Sequence, residues 1–90
     1  MLKITQRDGR LRLDSQADEV EAELGKQTQL MKALPGGGYV CLWKNAPDDY
    51  RAEVQATDGA VTDLDAHTVE ALLAQLAAFL PTLPCGFHPE

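Results

Sequence analysis

Tyr39-Val40-Cys41-Leu42-Trp43-Lys44-Asn45-Ala46-Pro47-Asp48-Asp49-Tyr50-Arg51-Ala52-Glu53-Val54-Gln55-Ala56-Thr57 decides the fold. Residues 39–43 are aromatic, β-branched and apolar, the composition of a strand. Residues 50–57 alternate cleanly, with Tyr50, Ala52, Val54 and Ala56 on one side and polar residues on the other. That period of two marks a strand buried on one face. Ala46-Pro47-Asp48-Asp49 between them reads as a turn. A four-residue turn pairs Asn45 with Tyr50, hence Trp43 with Ala52, Cys41 with Val54 and Tyr39 with Ala56. Large residues then face small ones. This register leaves Val40 and Leu42 on the far side of the sheet, as a second apolar patch. The strand 39–43 could also pair through its edge with a second copy.

Asp58-Gly59 follows and predicts another hairpin into Ala60-Val61-Thr62, so residues 39–63 read as a β-meander. Upstream, Leu2-Lys3-Ile4-Thr5 and Leu11-Arg12-Leu13 alternate around Asp8-Gly9. A tight turn there sets Arg7 opposite Arg10, Gln6 opposite Leu11 and Ile4 opposite Leu13. Leu2, Ile4, Leu11 and Leu13 then share a face that needs cover.

Two helices are expected. Residues 15–34 carry Ala17, Val20, Leu24, Met31 and Leu34 at helical spacing, with Ser15 as the cap for the Asp18 N–H. Gly25 weakens the middle by about 1 kcal/mol relative to Ala and marks a place for a kink or break. Pro35-Gly36-Gly37-Gly38 ends this segment. Its order, helix before and strand after, is opposite to that of a phosphate-binding loop. Residues 65–80 form the second helix, capped by Asp63 or Asp65 and stopped by Pro81 and Pro84. Val69, Leu72, Leu73, Leu76 and Leu80 make its core stripe. Residues 81–90 read as an irregular tail.

The expectation is therefore one α+β domain over residues 1–90. It is a small two-layer domain, a mostly antiparallel sheet of four or five strands with two helices, in the order β-β-α-β-β-β-α. Between Ser15 and Leu80 the order helix, three strands, helix is similar to that of double-stranded-RNA-binding domains. Those domains carry lysines at the start of the last helix. Here Asp63, Asp65 and Glu70 occupy that region, so the similarity of order implies no function.

Fourteen acids against eight bases give a net charge of −6. Residues 58–90 hold five acids and no Lys or Arg, whereas residues 1–14 carry Lys3, Arg7, Arg10 and Arg12. Such a chain has few cations with which to displace counterions from phosphate, which argues against direct nucleic-acid binding. There is no apolar run of membrane-spanning length and no signal-peptide core at residues 1–8, so a cytoplasmic protein is expected. Two cysteines do not make a disulfide framework.

Three surfaces or clusters stand out. Ala71, Ala74 and Ala78 lie opposite the core stripe of the second helix, with only Glu70 and Gln75 polar between Val69 and Leu80. This face suits close packing of a partner or a second copy, with Glu70, Asp63 and Asp65 steering a basic protein. Val40 and Leu42 form the second candidate surface. Cys41, His67, Cys85 and His88 form the third: two thiols and two imidazoles, a donor set zinc accepts, but with poor spacing. Ser15 is the only serine and its capping role leaves no candidate catalytic serine. The leading reading is a non-enzymatic protein-interaction module without cofactor or metal, an adaptor, inhibitor or chaperone-like protein. The alternatives are a thiol- or metal-dependent protein using Cys41, His67, Cys85 and His88, and an acidic nucleic-acid mimic.

Overall fold

A computed structural model describes residues 2–83. The elements are β1 (Ile4–Arg7), β2 (Arg10–Leu13), α1 (Ala17–Leu24), β3 (Gln29–Ala33), β4 (Tyr39–Ala46), β5 (Asp49–Gln55), β6 (Val61–Ala66) and α2 (Val69–Phe79), with a 3-10 turn at Leu80–Thr82. The class is α+β, with two helices and all strand pairs antiparallel. β1 and β2 form a separate two-stranded sheet, and β3-β4-β5-β6 form a four-stranded meander.

The first hairpin has the expected register, with Ile4 opposite Leu13, Gln6 opposite Leu11 and Arg7 opposite Arg10. Asp8 and Gly9 take φ of 54° and 77°, the two positive values that a tight primed turn requires. Leu2, Ile4 and Leu11 are buried under α2 and the 3-10 turn. The α2 stripe is likewise as expected: Val69, Leu72, Leu73, Leu76 and Leu80 are all buried.

The segment 15–34 is not one helix. α1 stops at Leu24 with Gly25 as its C-cap, and residues 29–33 form the edge strand β3 instead. The segment between is short, and Gly25 removes helix propensity where continuation is decided. Beyond it, Leu30 gains a place in the core by pairing with Leu42, while Met31 turns to the other face. Ser15 does not cap α1. The N-cap is Gln16, without a side-chain bond, and the Ser15 hydroxyl accepts from Lys3 N at 2.6 Å, fastening the hairpin to the helix start. The start of α2 also differs. Asp63 and Asp65 lie within β6, and the cap is Thr68, whose hydroxyl accepts from Ala71 N at 3.0 Å. Four strands, rather than three, therefore separate the helices.

The most consequential difference is the register of β4 on β5. Lys44 pairs with Tyr50 and Ala46 with Asp49, so Asn45 is an extra residue in the strand. Pro47 and Asp48 make a two-residue turn, with Asp48 at φ 63°. Trp43 then faces Arg51, Cys41 faces Glu53 and Tyr39 faces Gln55, one residue away from the four-residue-turn register. A slip by one exchanges the faces of the whole strand. Val40 and Leu42, expected outside, are fully buried beside Ala52 and Val54. Tyr39 and Trp43, expected inside, lie on the opposite face and are half-buried. The exchange has a chemical reason. Val and Leu carry no polar atom into the core, whereas the Tyr hydroxyl and Trp N–H need partners when buried. Edge pairing by 39–43 is also unavailable, because β4 has β3 on one side and β5 on the other.

Gly38 holds the start of β4 against the end of β5. Its φ is +86°, and a Cβ there would stand 2.1 Å from the Gln55 carbonyl oxygen. Both helices and the hairpin pack on the Leu30/Leu42/Ala52 side of the sheet.

Two substitutions test this register. Leu42→Ala should cost about 2–5 kcal/mol in denaturant unfolding, because it opens a cavity in the core. Trp43→Ala, on the uncovered side, should cost clearly less; the reverse ranking would contradict the assigned register.

Candidate functional site

The face of the meander away from the helices is organised in rows by the strand pairing. One row is Gln29, Trp43, Arg51 and Asp65; the next is Met31, Cys41, Glu53 and Asp63; the third is Ala33, Tyr39, Gln55 and Val61. Met31 is 61% exposed and Val61 54%, the two large apolar side chains most open to solvent among the described residues. Tyr39, Cys41 and Trp43 come from alternate positions of β4, so they stand in a line about 6.8 Å apart. Cys41, in the middle, is buried beneath its neighbours.

A depression of about 410 Å³ lies over Cys41, between Tyr39 and Trp43, with Gln29, Met31 and Glu53 around it. Its polar groups are tied together. The Tyr39 hydroxyl donates to Glu53 Oε2, and the Cys41 thiol donates to Gln29 Oε1 at 3.6 Å. A second hollow of about 240 Å³ lies on the other side of Trp43, beside Arg51, Asp63 and Asp65.

The charges on this face are uneven. Glu53, Asp63 and Asp65 oppose only Arg51. The Arg51 guanidinium is held by Asp49, with Nη2 3.2 Å from Oδ2 and Nε 3.3 Å from Oδ1. Asn45 also donates to Asp49 at 2.8 Å, and these bonds hold the Asp49 carboxyl below its ordinary range. Lys44 is turned away over the ring of Tyr50, 5.7 Å from its centre. Among the described residues, no Lys or Arg forms an ion pair with Glu53.

The same carboxylate shifts its neighbours. Tyr39 is raised above its ordinary value of 10.0, first by its hydrogen bond to Glu53, then by desolvation and nearby negative charge. Cys41 is raised by burial and then by Glu53. A thiol held protonated at neutral pH is the opposite of an activated nucleophile.

The other sequence-derived candidates are dispersed. Ala71, Ala74 and Ala78 are exposed on α2, together with Glu70 and Gln75. The Gln75 amide donates to the Asp65 carbonyl at 2.8 Å, so it ties α2 to β6. Val40 and Leu42 belong to the core and are unavailable to a partner. His67 Nδ1 lies 3.1 Å from the Asp48 carbonyl, bracing the β4–β5 turn at the end of the sheet. It is not brought to Cys41. Cys85 and His88 lie outside the described residues, and among the described residues no group of three or more His, Cys, Asp or Glu is placed to hold a metal ion. Among the described residues, no helix is long and apolar enough to cross a membrane.

The sequence reading missed Trp43, Tyr39 and Met31 as surface residues, and placed Glu53 outside but beside Val40 and Leu42 rather than beside the aromatic residues. Pro47-Asp48 carried no signal for this, because two-residue and four-residue closures share one register and the faces exchange at the extra residue Asn45. Compared with family models, curated proteins and solved structures, the chain matches none of them.

The pKa directions give a test. Glu53→Gln should lower the Cys41 pKa and speed its alkylation at pH 8, measured in a Cys85→Ser background. It should also move the Tyr39 transition down toward 10.0 in an ultraviolet titration. Neither moving would contradict the assigned contacts. The sign for stability follows: the folded pKa of Tyr39 is raised, so its contribution is present below pH 10 and lost as pH rises through the folded value.

Proposed function

We propose that this protein is a non-enzymatic protein-interaction module that receives a basic, apolar-anchored segment of another protein on the uncovered face of its four-stranded sheet. The observation that carries the reading is the composition of that face. Trp43, Tyr39 and Met31 lie beside Glu53, Asp63 and Asp65, with the single cation Arg51 already held by Asp49. Aromatic and Met side chains are enriched at binding surfaces because they offer large contact areas. The carboxylates steer a cationic partner and fix its orientation. A second copy is a poorer occupant, since like acids would meet across the interface.

The exposed Ala71/Ala74/Ala78 face of α2 remains the competing surface for the same kind of partner. It lacks the aromatic anchors and has Glu70 as its only nearby acid on the helix. The open sheet face combines anchors and charge in one place, which favours it.

Trp43 is the only tryptophan, so its fluorescence reports on this face directly. A synthetic peptide with alternating lysine and leucine should change that fluorescence and bind several-fold more weakly as salt rises from 50 to 300 mM. An acidic counterpart should not bind. By calorimetry, Trp43→Ala should weaken the basic peptide about tenfold or more, and Ala74→Arg should leave it unchanged. Loss in Ala74→Arg with retention in Trp43→Ala would place the interface on α2 and overturn this reading.

A further inference from the structure

We infer that the depression over Cys41 is a receptor for one arginine side chain of the bound segment, its guanidinium lying against Trp43 and paired with Glu53. This rests on the reading of the open face as a binding surface and specifies its anchor.

Three features of the depression select that group. The first is shape and surface. Tyr39 and Trp43 are four residues apart on β4, so their Cα atoms stand roughly 13 Å apart with Cys41 as a low floor between them. The volume of about 410 Å³ admits a long side chain. Its aliphatic stem can lie along Met31 and the aromatic walls. A guanidinium is flat, weakly hydrated and attracted to an aromatic face.

The second is charge. Glu53 is the only ionisable carboxylate among the lining residues, and no base lines the depression. The bases nearest to it along β4 and β5 are committed elsewhere, Arg51 to Asp49 and Lys44 to the Tyr50 ring. The carboxylate is therefore held in position by the Tyr39 hydroxyl without a cation of its own among the described residues.

The third is hydrogen-bond polarity. The Tyr39 hydroxyl and the Cys41 thiol already donate to Glu53 and Gln29. The oxygens of these two partners form a set with acceptor capacity left, since a carboxylate has about four lone-pair sites and an amide carbonyl two, beside the two N–H donors of the Gln29 amide. A group with several donors and no acceptor complements this set. Guanidinium has five N–H donors in a fixed fork, whereas lysine brings a strongly hydrated point charge.

The test uses three peptides that differ at one position, arginine, citrulline or lysine, flanked by leucines and two constant lysines. Citrulline keeps the shape of arginine and removes its charge. Binding is read by Trp43 fluorescence. The arginine peptide should bind about tenfold more tightly than the citrulline peptide, and more tightly than the lysine peptide. Glu53→Gln, which can still accept from Tyr39, should erase the arginine advantage. Asp63→Asn, outside the depression, should weaken all three peptides alike. In a Cys85→Ser background the bound arginine peptide should slow alkylation of Cys41. Equal binding of arginine and citrulline peptides, equal binding of arginine and lysine peptides, or unprotected Cys41 in the complex would overturn the arginine assignment while leaving the open-face reading in place. Failure of all three peptides to bind would overturn both.

Discussion

The pairing of β4 with β5 is the constraint on which the rest depends. Two residues, Pro47 and Asp48, close the turn, and Asn45 is left as the extra residue in the strand. That local geometry decides which side of β4 is core. Val40 and Leu42 go inward against Ala52, Val54, Leu72 and Leu76. Tyr39, Cys41 and Trp43 go outward, in line with Glu53 and Arg51. Without the extra Asn45, the pairing of Ala46 with Asp49 would continue as Asn45 with Tyr50 and Trp43 with Ala52, which would place the aromatic residues inside, with their polar atoms in need of partners, and leave a bare aliphatic face outside.

The remaining elements follow from covering one face. α2 lays its leucine stripe on the β5–β6 side of the sheet, α1 packs on α2 and β3, and the β1–β2 hairpin closes the end against the 3-10 turn. All of this cover is on one side. The opposite side carries the chemistry: two aromatic rings, a thioether, a buried thiol and three carboxylates against one base, Arg51, which Asp49 holds. The thiol sits where burial and Glu53 both raise its pKa, so its place under the aromatics suits a floor better than a nucleophile.

How much of this was legible in the sequence differed element by element. Asp8-Gly9 between alternating segments was enough to set the first hairpin residue by residue, because one strong turn signal and one polar face agree. The α2 stripe was legible for a similar reason, since its leucines recur with only one period. Residues 29–34 were not, because Met31 and Leu34 fit the helical spacing of Val20 and Leu24 as well as a strand, and only Gly25 signalled the break. Residues 39–43 are apolar at every position, so alternation gives no inward side. Their facing depends on whether Asn45 is paired: four-residue and two-residue closures both lead to Trp43 opposite Ala52, and the extra residue at Asn45 shifts the rest of the strand by one. The candidate site was therefore hidden by one extra residue in β4, and the cap of α2 was hidden by acids that lie in a strand.

The most direct measurement of the account is the set of cross-strand backbone proton contacts between β4 and β5, observed by nuclear Overhauser spectroscopy on isotope-labelled protein. The account predicts contacts that align Leu42 with Ala52 and Trp43 with Arg51. Contacts that align Trp43 with Ala52 and Cys41 with Val54 would contradict it, because the aromatic face would then be the core.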